Sequence, residues 1–152
     1  MLLQKVYNAL KELKMIDVVK VLKEKGYKVT PQRLAVYDIL KNTKEHPTVE
    51  VIYNKLQPMY PTMSLATVYK SLEMFKDLDL VQELNVGEDK FRYDANVKPH
   101  PHITCVSCGK VDDVDDEMFF NLSEQVSNKT GYQITDQKLY FYGHCPVCKQ
   151  KQ

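Results

Sequence analysis

The chain has little glycine or proline and no long apolar segment. Its 152 residues include 5 glycines and 7 prolines, which excludes collagen-like and linker-dominated architectures. No apolar run approaches the roughly 20 residues that a membrane-spanning helix needs. Near the start, Leu2 and Leu3 are followed at once by polar residues, so we expect no signal-peptide core there. We therefore expect a cytoplasmic protein that does not interact with a membrane.

Neither sign of charge dominates the whole chain, but the two signs are unevenly distributed. The formal net charge is +1. Residues 1–93 carry 15 basic and 12 acidic side chains, whereas residues 94–152 carry 6 and 8. Within residues 1–33 the counts are 8 and 3. A basic amino-terminal segment fits an anionic partner, although a solvated helix face explains the same counts.

The four cysteines form two C-x2-C pairs, Cys105 with Cys108 and Cys145 with Cys148. In a chain expected to lack a secretion signal, reducing conditions disfavour a disulfide framework. Two such turns supply the four thiolates of a closed tetrahedral zinc site. Thioredoxin-like chemistry needs one pair and leaves the second unexplained. We therefore predict structural Zn(II) on these four cysteines, with a folded unit in the 36-residue gap between the pairs.

Apolar spacing and capping residues predict four helices in the first half of the chain. Thr30, Thr48 and Ser64 each precede an amphipathic stretch and can accept a hydrogen bond from its first turn. Gly26 ends the first helix, as glycine commonly does at this position. The predicted helices are residues 16–25, a helix that begins at Pro31, residues 49–57 and residues 64–76, with a further amphipathic stretch over residues 1–14.

A β-hairpin is predicted after the fourth helix, with strands over residues 80–86 and 90–94 around a turn at 87–89. Short helices followed by a hairpin are typical of a winged helix-turn-helix, in which the fourth helix is the recognition helix. Small hydroxyls, an aromatic ring and a cation on its outward face suit phosphate and base-edge contacts, although a solvated helix face has the same composition. The predicted buried stripe is Leu65, Val68, Leu72 and Phe75, and the predicted outward face is Thr67, Tyr69, Lys70 and Ser71.

A second unit is predicted from about residue 96. Short strands over residues 102–105 and 110–112 surround the first cysteine pair, and a helix containing residues 118–126 ends near Gly131. Alternating bulky residues predict a long strand over 132–142, with an edge able to pair with a second copy. The expected fold class is α+β: a winged helix-turn-helix in residues 1–93, with residues 1–14 as an extension, and an α/β dimerisation domain with a four-cysteine zinc site in residues 94–152.

A second candidate metal site follows from histidines and carboxylates. His100 and His102 are two residues apart, and on a strand such residues point to one face. His46, Asp94 and the pair at 112–113 add further nitrogen and oxygen donors, and a sulfur-free set of three imidazoles and two carboxylates suits Fe(II), Mn(II) or Zn(II). Ordinary surface histidines are the alternative interpretation. For His144, beside the second cysteine pair, we expect a local hydrogen bond rather than metal ligation.

Six motifs follow one another along the chain: Thr30-Pro31-Gln32-Arg33, His46-Pro47-Thr48, residues 64–70 (SLATVYK), Arg92-Tyr93-Asp94, His100-x-His102 and the two cysteine pairs. In this order, they closely resemble the motifs of the ferric uptake regulator (Fur) family over about residues 16–150. Aspartates stand at 94 and 113, where the iron-sensing branch usually has glutamates, so the resemblance is strongest to the peroxide-sensing (PerR) branch.

The resemblance implies a homodimeric, metal-dependent repressor that binds a palindromic operator in double-stranded DNA. It implies Fe(II) or Mn(II) at a regulatory site and peroxide sensing by Fe(II)-catalysed oxidation of two ligands, His46 and His100. An iron- or zinc-responsive repressor of metal-uptake genes is the alternative within the family. The implied regulatory ligands are His46, Asp94, His100, His102 and Asp113.

The resemblance also places Lys28 in the minor groove and Tyr69 against the bases. The predicted DNA contacts are Lys28, Arg33, Ser64, Thr67, Tyr69 and Lys70.

We expect no enzymatic activity and no catalytic residue. A hydrolase that uses the His/Asp site as a catalytic metal centre needs a general base, and the sequence offers no obvious one beyond the ligands. The remaining alternative is a zinc-stabilised protein–protein adaptor that does not bind DNA.

Overall fold

The computed structural model describes residues 17–87, 91–114, 116–119 and 121–151. The predicted extension over 1–14 and most of the predicted hairpin turn lie outside these ranges. None of the helices in these ranges combines the length and the apolar content that a membrane span requires. The predicted boundary between residues 93 and 94 stays a prediction.

Four helices begin within two residues of the predicted positions. At each start, a capping side chain accepts a hydrogen bond from the backbone N–H three residues further on, which satisfies one of the free donors of the first turn. The caps at Thr30, Thr48 and Ser64 are confirmed, and Asp17 is a fourth. The helices are α1 Val18–Glu24, α2 Pro31–Lys41, α3 Val49–Leu56 and α4 Leu65–Asp77.

The main hydrophobic core lies between these helices and the strand that follows them. Phe75 of α4 packs against Tyr37 of α2, with 5.3 Å between the ring centroids. Two expectations for α4 were wrong. Leu65 is 36% exposed because the buried stripe begins one turn later, at Val68. Ser71, predicted to face outward, is buried between the core positions of that stripe, and its hydroxyl donates to the Thr67 carbonyl at 2.8 Å.

The predicted hairpin is confirmed as two antiparallel strands, β1 Gln82–Asn85 and β2 Phe91–Asp94, with Gln82 opposite Asp94. The buried Tyr93 of β2 belongs to the helical core. Its backbone N–H donates to the Pro47 carbonyl at 3.1 Å. The β1–β2 hairpin, which is the wing of the predicted winged helix-turn-helix, is therefore attached to the loop that carries His46.

A second sheet contains β3 His102–Cys105, β4 Val111–Asp113 and β5 Tyr140–Gly143 in the order β4-β3-β5. Strand β3 is antiparallel to β4, with His102 opposite Asp113, and parallel to β5. The α+β fold class is thereby confirmed.

The predicted single helix around residues 118–126 is two elements, a 3-10 helix at Asp116–Phe119 and helix α5 at Leu122–Thr130. Asn121 between them has φ = 61°, in the left-handed region, which interrupts the helical hydrogen bonds. Gly131 ends α5 with φ = 77°, as predicted. A short helix, α6 Pro146–Lys149, follows β5.

The long strand predicted over residues 132–142 was wrong in extent. Only Tyr140–Gly143 is a strand, because its partner β3 is four residues long and its pairing with β5 begins at His102 opposite Tyr140. In the described chain, residues 132–139 have no strand partner and their backbone is irregular. Pairing of this edge with a second copy stays a prediction.

Candidate metal centres

The β3–β4 hairpin carries residues of both candidate centres. At its closed end, the turn that contains Cys105 and Cys108 is held by two backbone hydrogen bonds of 2.8 Å, Cys105 N–H to the Lys110 carbonyl and Gly109 N–H to the Cys105 carbonyl. Gly109 has φ = 73°, which glycine adopts without strain. At the open end, His102 and Asp113 lie opposite each other. One hairpin therefore connects the two sites.

The four cysteines come together as the sequence predicts. Their sulfur atoms all lie within 4.8 Å of one another, and none is in a disulfide. The Sγ atoms of Cys108 and Cys145 are 3.9 Å apart. A tetrahedral Zn(II) with Zn–S bonds of about 2.3 Å requires sulfurs about 3.8 Å apart, so this spacing fits zinc.

The environments of the thiols differ. Backbone N–H groups of Cys145, Cys108 and Ser107 lower the pKa of Cys105 to about 6. The pKa of Cys148 is raised to about 12, mainly by hydrogen bonding with the Cys145 thiol and to a smaller extent by burial and by the thiols of Cys108 and Cys105. Four thiolates at this separation repel one another, so all four ionise together only around a cation. This requirement also fits a divalent metal.

The second cluster joins ligand atoms from distant parts of the chain. His46 comes from the loop before α3, Asp94 from the end of β2, His100 from the segment before β3, His102 from β3 and Asp113 from β4. One ligand atom from each lies within 4.8 Å of the others. His46 Nε2 is 2.8 Å from Asp113 Oδ1, and His100 Nε2 is 3.1 Å from Asp94 Oδ2. The structure therefore brings together all five residues of the predicted regulatory set.

Most of this cluster is buried. The exposed fractions are 2% for His46, 3% for His102 and 9% for Asp94. His102 Nε2 lies 3.4 Å from Asp113 Oδ1 and 3.6 Å from Asp94 Oδ2, and it has no hydrogen-bond partner among the described residues. An unsatisfied buried nitrogen is costly. A metal ion that accepts its lone pair removes this cost, so the site fits a cation.

Backbone carbonyls orient two of the rings. His46 Nδ1 is 3.3 Å from the Val111 carbonyl oxygen, and His100 Nδ1 is 2.7 Å from the Lys98 carbonyl oxygen. A carbonyl only accepts, so each Nδ1 carries the proton. In the neutral imidazole, Nε2 then presents a lone pair to the carboxylates, as in metal-binding histidines. Lone pairs of nitrogen and oxygen face each other stably only with a cation between them.

The carboxylates favour positive charge at this place. Burial alone lowers the pKa of His46, but its hydrogen bond to Asp94 and the charges of Asp94 and Asp113 raise it above the usual value. Burial alone raises the pKa of Asp94, but the rings of His102 and His46 and the Asn96 N–H hold it well below its usual range. The site therefore attracts either a proton or a metal cation.

The predicted DNA contacts lie in two places. The Arg33 guanidinium donates to the carbonyl of the exposed Lys28, so these two residues are neighbours. At the start of α4, Ser64 caps the helix, and its Oγ is 3.0 Å from the Thr67 hydroxyl. The side chains of Tyr69 and Lys70 are exposed.

Near the cysteine cluster, His144 Nδ1 is 2.8 Å from Ser107 Oγ. This contact agrees with the local hydrogen bond expected there.

Sequence reasoning assigned no role to Arg92, although it belongs to the motif that ends in Asp94. Its guanidinium donates to the His46 carbonyl at 3.0 Å and to the Gly109 carbonyl at 2.7 Å. Its place two residues before a candidate ligand was the only signal in the sequence. The carbonyls of Val111 and Lys98 had no signal at all, because every residue carries a carbonyl.

Comparisons with known proteins place this chain among characterised relatives. The model of the ferric uptake regulator family matches residues 24–142. The chain is 57% identical over 137 residues to the transcriptional regulator PerR of Clostridium acetobutylicum, covering 90% of this chain and 99% of that protein. It is 36% identical over 136 residues to the peroxide operon regulator of Bacillus subtilis, covering 90% and 94%. The crystal structure of the Campylobacter jejuni peroxide stress regulator matches with a TM-score of 0.70 and 34% identity, covering 88% of this chain and all of that one.

Proposed function

The chain belongs to the ferric uptake regulator family, and from this premise we propose that it is a metal-dependent, DNA-binding transcriptional repressor that responds to peroxide. The observation that carries the proposal is the cluster of five nitrogen and oxygen ligands drawn from the His46 loop, the end of the wing and the second sheet. The peroxide operon regulator of Bacillus subtilis and the peroxide stress regulator of Campylobacter jejuni, both similar to this chain, support the choice of signal.

The two clusters select different metals by their donor atoms. Four cysteine thiolates suit Zn(II), and we assign structural zinc to Cys105, Cys108, Cys145 and Cys148. The sulfur-free cluster suits Fe(II) or Mn(II). Its two carboxylates balance a divalent charge, which a buried site requires. We assign the regulatory metal to His46, Asp94, His100, His102 and Asp113.

The five regulatory ligands connect the helical part of the chain to the second sheet. We call this set, His46, Asp94, His100, His102 and Asp113, the clasp. When all five hold one cation, the loop of His46 and the end of β2 are fixed relative to β3 and β4. To raise a closed arrangement from 1% to 99% of molecules, closed-state binding must be favoured by roughly 10⁴-fold, about 5.5 kcal/mol. Losing one of five ligands removes enough of this preference to release DNA.

A hydrogen-bonded path leads from this clasp to the recognition helix. Tyr93, next to Asp94, donates its hydroxyl to Glu83 at 3.0 Å, and Lys76 at the end of α4 pairs with the same carboxylate at 3.0 Å. Burial and the Glu83 charge raise the pKa of Tyr93, so the hydroxyl stays a donor. These contacts connect the end of β2 to α4, so we expect a displacement of one to be transmitted to the other.

Peroxide acts on the ligands themselves. When bound at this site, Fe(II) supplies the one-electron reduction that cleaves the O–O bond of peroxide, whereas Mn(II) is far less active in this chemistry. We propose His46 and His100 as the oxidised residues. His46 is the only histidine of the cluster that comes from the helical part. Oxidation of its ring therefore weakens the connection between that part and the second sheet.

The repressor form is proposed to be a homodimer. Two winged helix-turn-helix units related by a two-fold axis match the two halves of a palindromic operator. The proposed DNA contacts are those predicted from the sequence, at Lys28, Arg33, Ser64, Thr67, Tyr69 and Lys70. Much of the affinity is electrostatic, so it falls as the salt concentration rises.

The test compares the Fe(II)- and Mn(II)-loaded proteins before and after peroxide. Operator binding is followed by fluorescence anisotropy, and peptide mass spectrometry locates added oxygen. The Fe(II) form is expected to lose DNA binding and to gain one oxygen atom on the peptide containing His46 or His100, while the Mn(II) form keeps binding.

Oxidation confined to cysteine peptides contradicts the proposed sensing chemistry. DNA release on metal removal alone, with no effect of peroxide on either form, favours the iron- or zinc-responsive alternative.

A further inference from the structure

Arg92 joins three separate segments of the chain. It lies on β2 and is half-buried, and its two terminal nitrogens donate to the His46 carbonyl in the loop before α3 and to the Gly109 carbonyl in the cysteine turn. A planar guanidinium holds two acceptors in a fixed relative position, because its N–H groups form a rigid fork. The His46 backbone is thereby fixed relative to the turn that follows Cys108.

The backbone of His46 needs such support. It has φ = 50°, in the left-handed region that costs a non-glycine residue free energy. Its side chain is held at Nδ1 by the Val111 carbonyl. The next residue, Pro47, accepts the N–H of Tyr93. Arg92 adds a restraint at the carbonyl of His46 itself.

The acceptor in the cysteine turn is equally well defined. Gly109 directly follows Cys108. If this residue had a Cβ atom, that atom would lie 3.7 Å from Arg92 Nη2. The guanidinium therefore lies against the turn. The Gly109 carbonyl keeps its position only while the turn is formed, and metal ligation by Cys105 and Cys108 stabilises that turn.

We propose that Arg92 is a positioning residue that couples the two metal centres: it holds the His46 backbone in its ligating position by anchoring it to the zinc-stabilised cysteine turn. This inference rests on the proposed function, in which His46 is a ligand of the regulatory metal. Zinc occupancy thereby preorganises the regulatory site, although no zinc ligand belongs to that site. The coupling is reciprocal, since linkage between two binding sites has no direction.

A purely electrostatic role is the competing explanation, because any cation near four thiolates offsets their charge. Two variants separate the explanations. Arg92→Lys keeps the charge but lacks the rigid fork that joins the two carbonyls. Lys110→Ala removes a cation from the same turn, where Lys110 is exposed and pairs with Asp112.

The experiment uses the full-length, zinc-loaded protein and Mn(II) as the probe. Isothermal titration gives the Mn(II) affinity of the parent, Arg92→Ala, Arg92→Lys and Lys110→Ala, and elemental analysis gives their zinc content. Both Arg92 variants are expected to bind Mn(II) about 10- to 100-fold more weakly while keeping their zinc. Lys110→Ala is expected to stay within about twofold of the parent.

A second readout needs no Mn(II). Hydrogen exchange of the Tyr93 amide, which donates to the Pro47 carbonyl, is measured in the zinc-loaded, Mn(II)-free protein. Arg92→Ala is expected to speed this exchange, because the His46–Pro47 segment loses its anchor, whereas Lys110→Ala leaves it unchanged.

Unchanged Mn(II) affinity and unchanged Tyr93 exchange in Arg92→Ala would overturn the proposal. Equal losses in Lys110→Ala and Arg92→Ala would show that only charge matters. Zinc loss in Arg92→Ala with unchanged Mn(II) affinity would show that the residue serves the cysteine centre alone. If the parent itself binds no Mn(II) at this site, the proposed function fails, and Tyr93 exchange still decides whether Arg92 anchors the loop.

Discussion

The two candidate metal centres share one hairpin but differ in the origin of their ligands. All four cysteines lie within residues 105–148, whereas the His/Asp cluster reaches back to residue 46 and is largely buried. A centre within one region stabilises that region whatever the rest of the chain does. A centre that spans distant segments changes how those segments are arranged. Under the proposed function, the same hairpin would serve stability at its tip and regulation at its open end.

The largest effect is expected at the cysteine centre. Cys145→Ser removes one of four thiolates, and structural zinc supplies on the order of 10 kcal/mol to small domains. Elemental analysis is expected to find no bound zinc in this variant. Thermal unfolding is expected to show that the transition of residues 94–152 is lost. Ser107→Ala, on the same turn, is the control and should retain both. A zinc-free Cys145→Ser protein with the parent's melting temperature would contradict the structural role.

The next effect tests the clasp. His46→Ala removes the single histidine that the helical part contributes to the cluster. We expect Mn(II) affinity to fall about 100-fold or more, and operator affinity with Mn(II) to fall to that of the metal-free protein. Zinc content should not change. If this variant, titrated with Mn(II), bound the operator as the parent does, the clasp would be disproved.

A smaller effect is expected when only a charge is removed. Asp94→Asn keeps the size of the side chain, so Mn(II) affinity should fall by about tenfold. In the metal-free protein the pKa of His46 should also fall, because the Asp94 charge helps to hold it up. NMR titration of the His46 ring measures this change.

The same variant makes a prediction about pH and stability. A histidine whose folded-state pKa is raised adds stability below its unfolded pKa of about 6.5, and that stability is lost as pH rises through the folded pKa. Asp94→Asn should therefore destabilise the metal-free protein more between about pH 4 and 6 than at pH 8. Equal losses of unfolding free energy at about pH 4 to 6 and at pH 8 would exclude the His46–Asp94 pair as the cause.

The smallest effects are expected far from both centres, on DNA. Lys28→Ala should weaken binding to every operator variant and reduce the salt dependence by about one unit of slope. Tyr69→Ala should in addition relax base preference. Fluorescence anisotropy against a set of operator variants measures both, with Lys20→Ala of α1 as a charge control. The same loss on all variants for both mutants would remove the reading role of Tyr69.

Local patterns predicted local structure well. The caps at Thr30, Thr48 and Ser64 depend on a side chain and an N–H three residues away, so sequence spacing is enough to find them. The same holds for each C-x2-C turn. Predictions that depended on long-range packing did less well: Ser71 was expected outside, and the strand expected over residues 132–142 is limited by the length of β3.

The kinds of ligand atom can be read from the residues alone: four thiolates in two turns, and imidazoles and carboxylates without sulfur. Folding was needed to bring His46 to within 2.8 Å of Asp113, 67 positions away, and to join the His46 loop to the cysteine turn through Arg92. The type of a donor atom belongs to a single residue. Distances between residues far apart in the chain depend instead on how the core and both sheets pack.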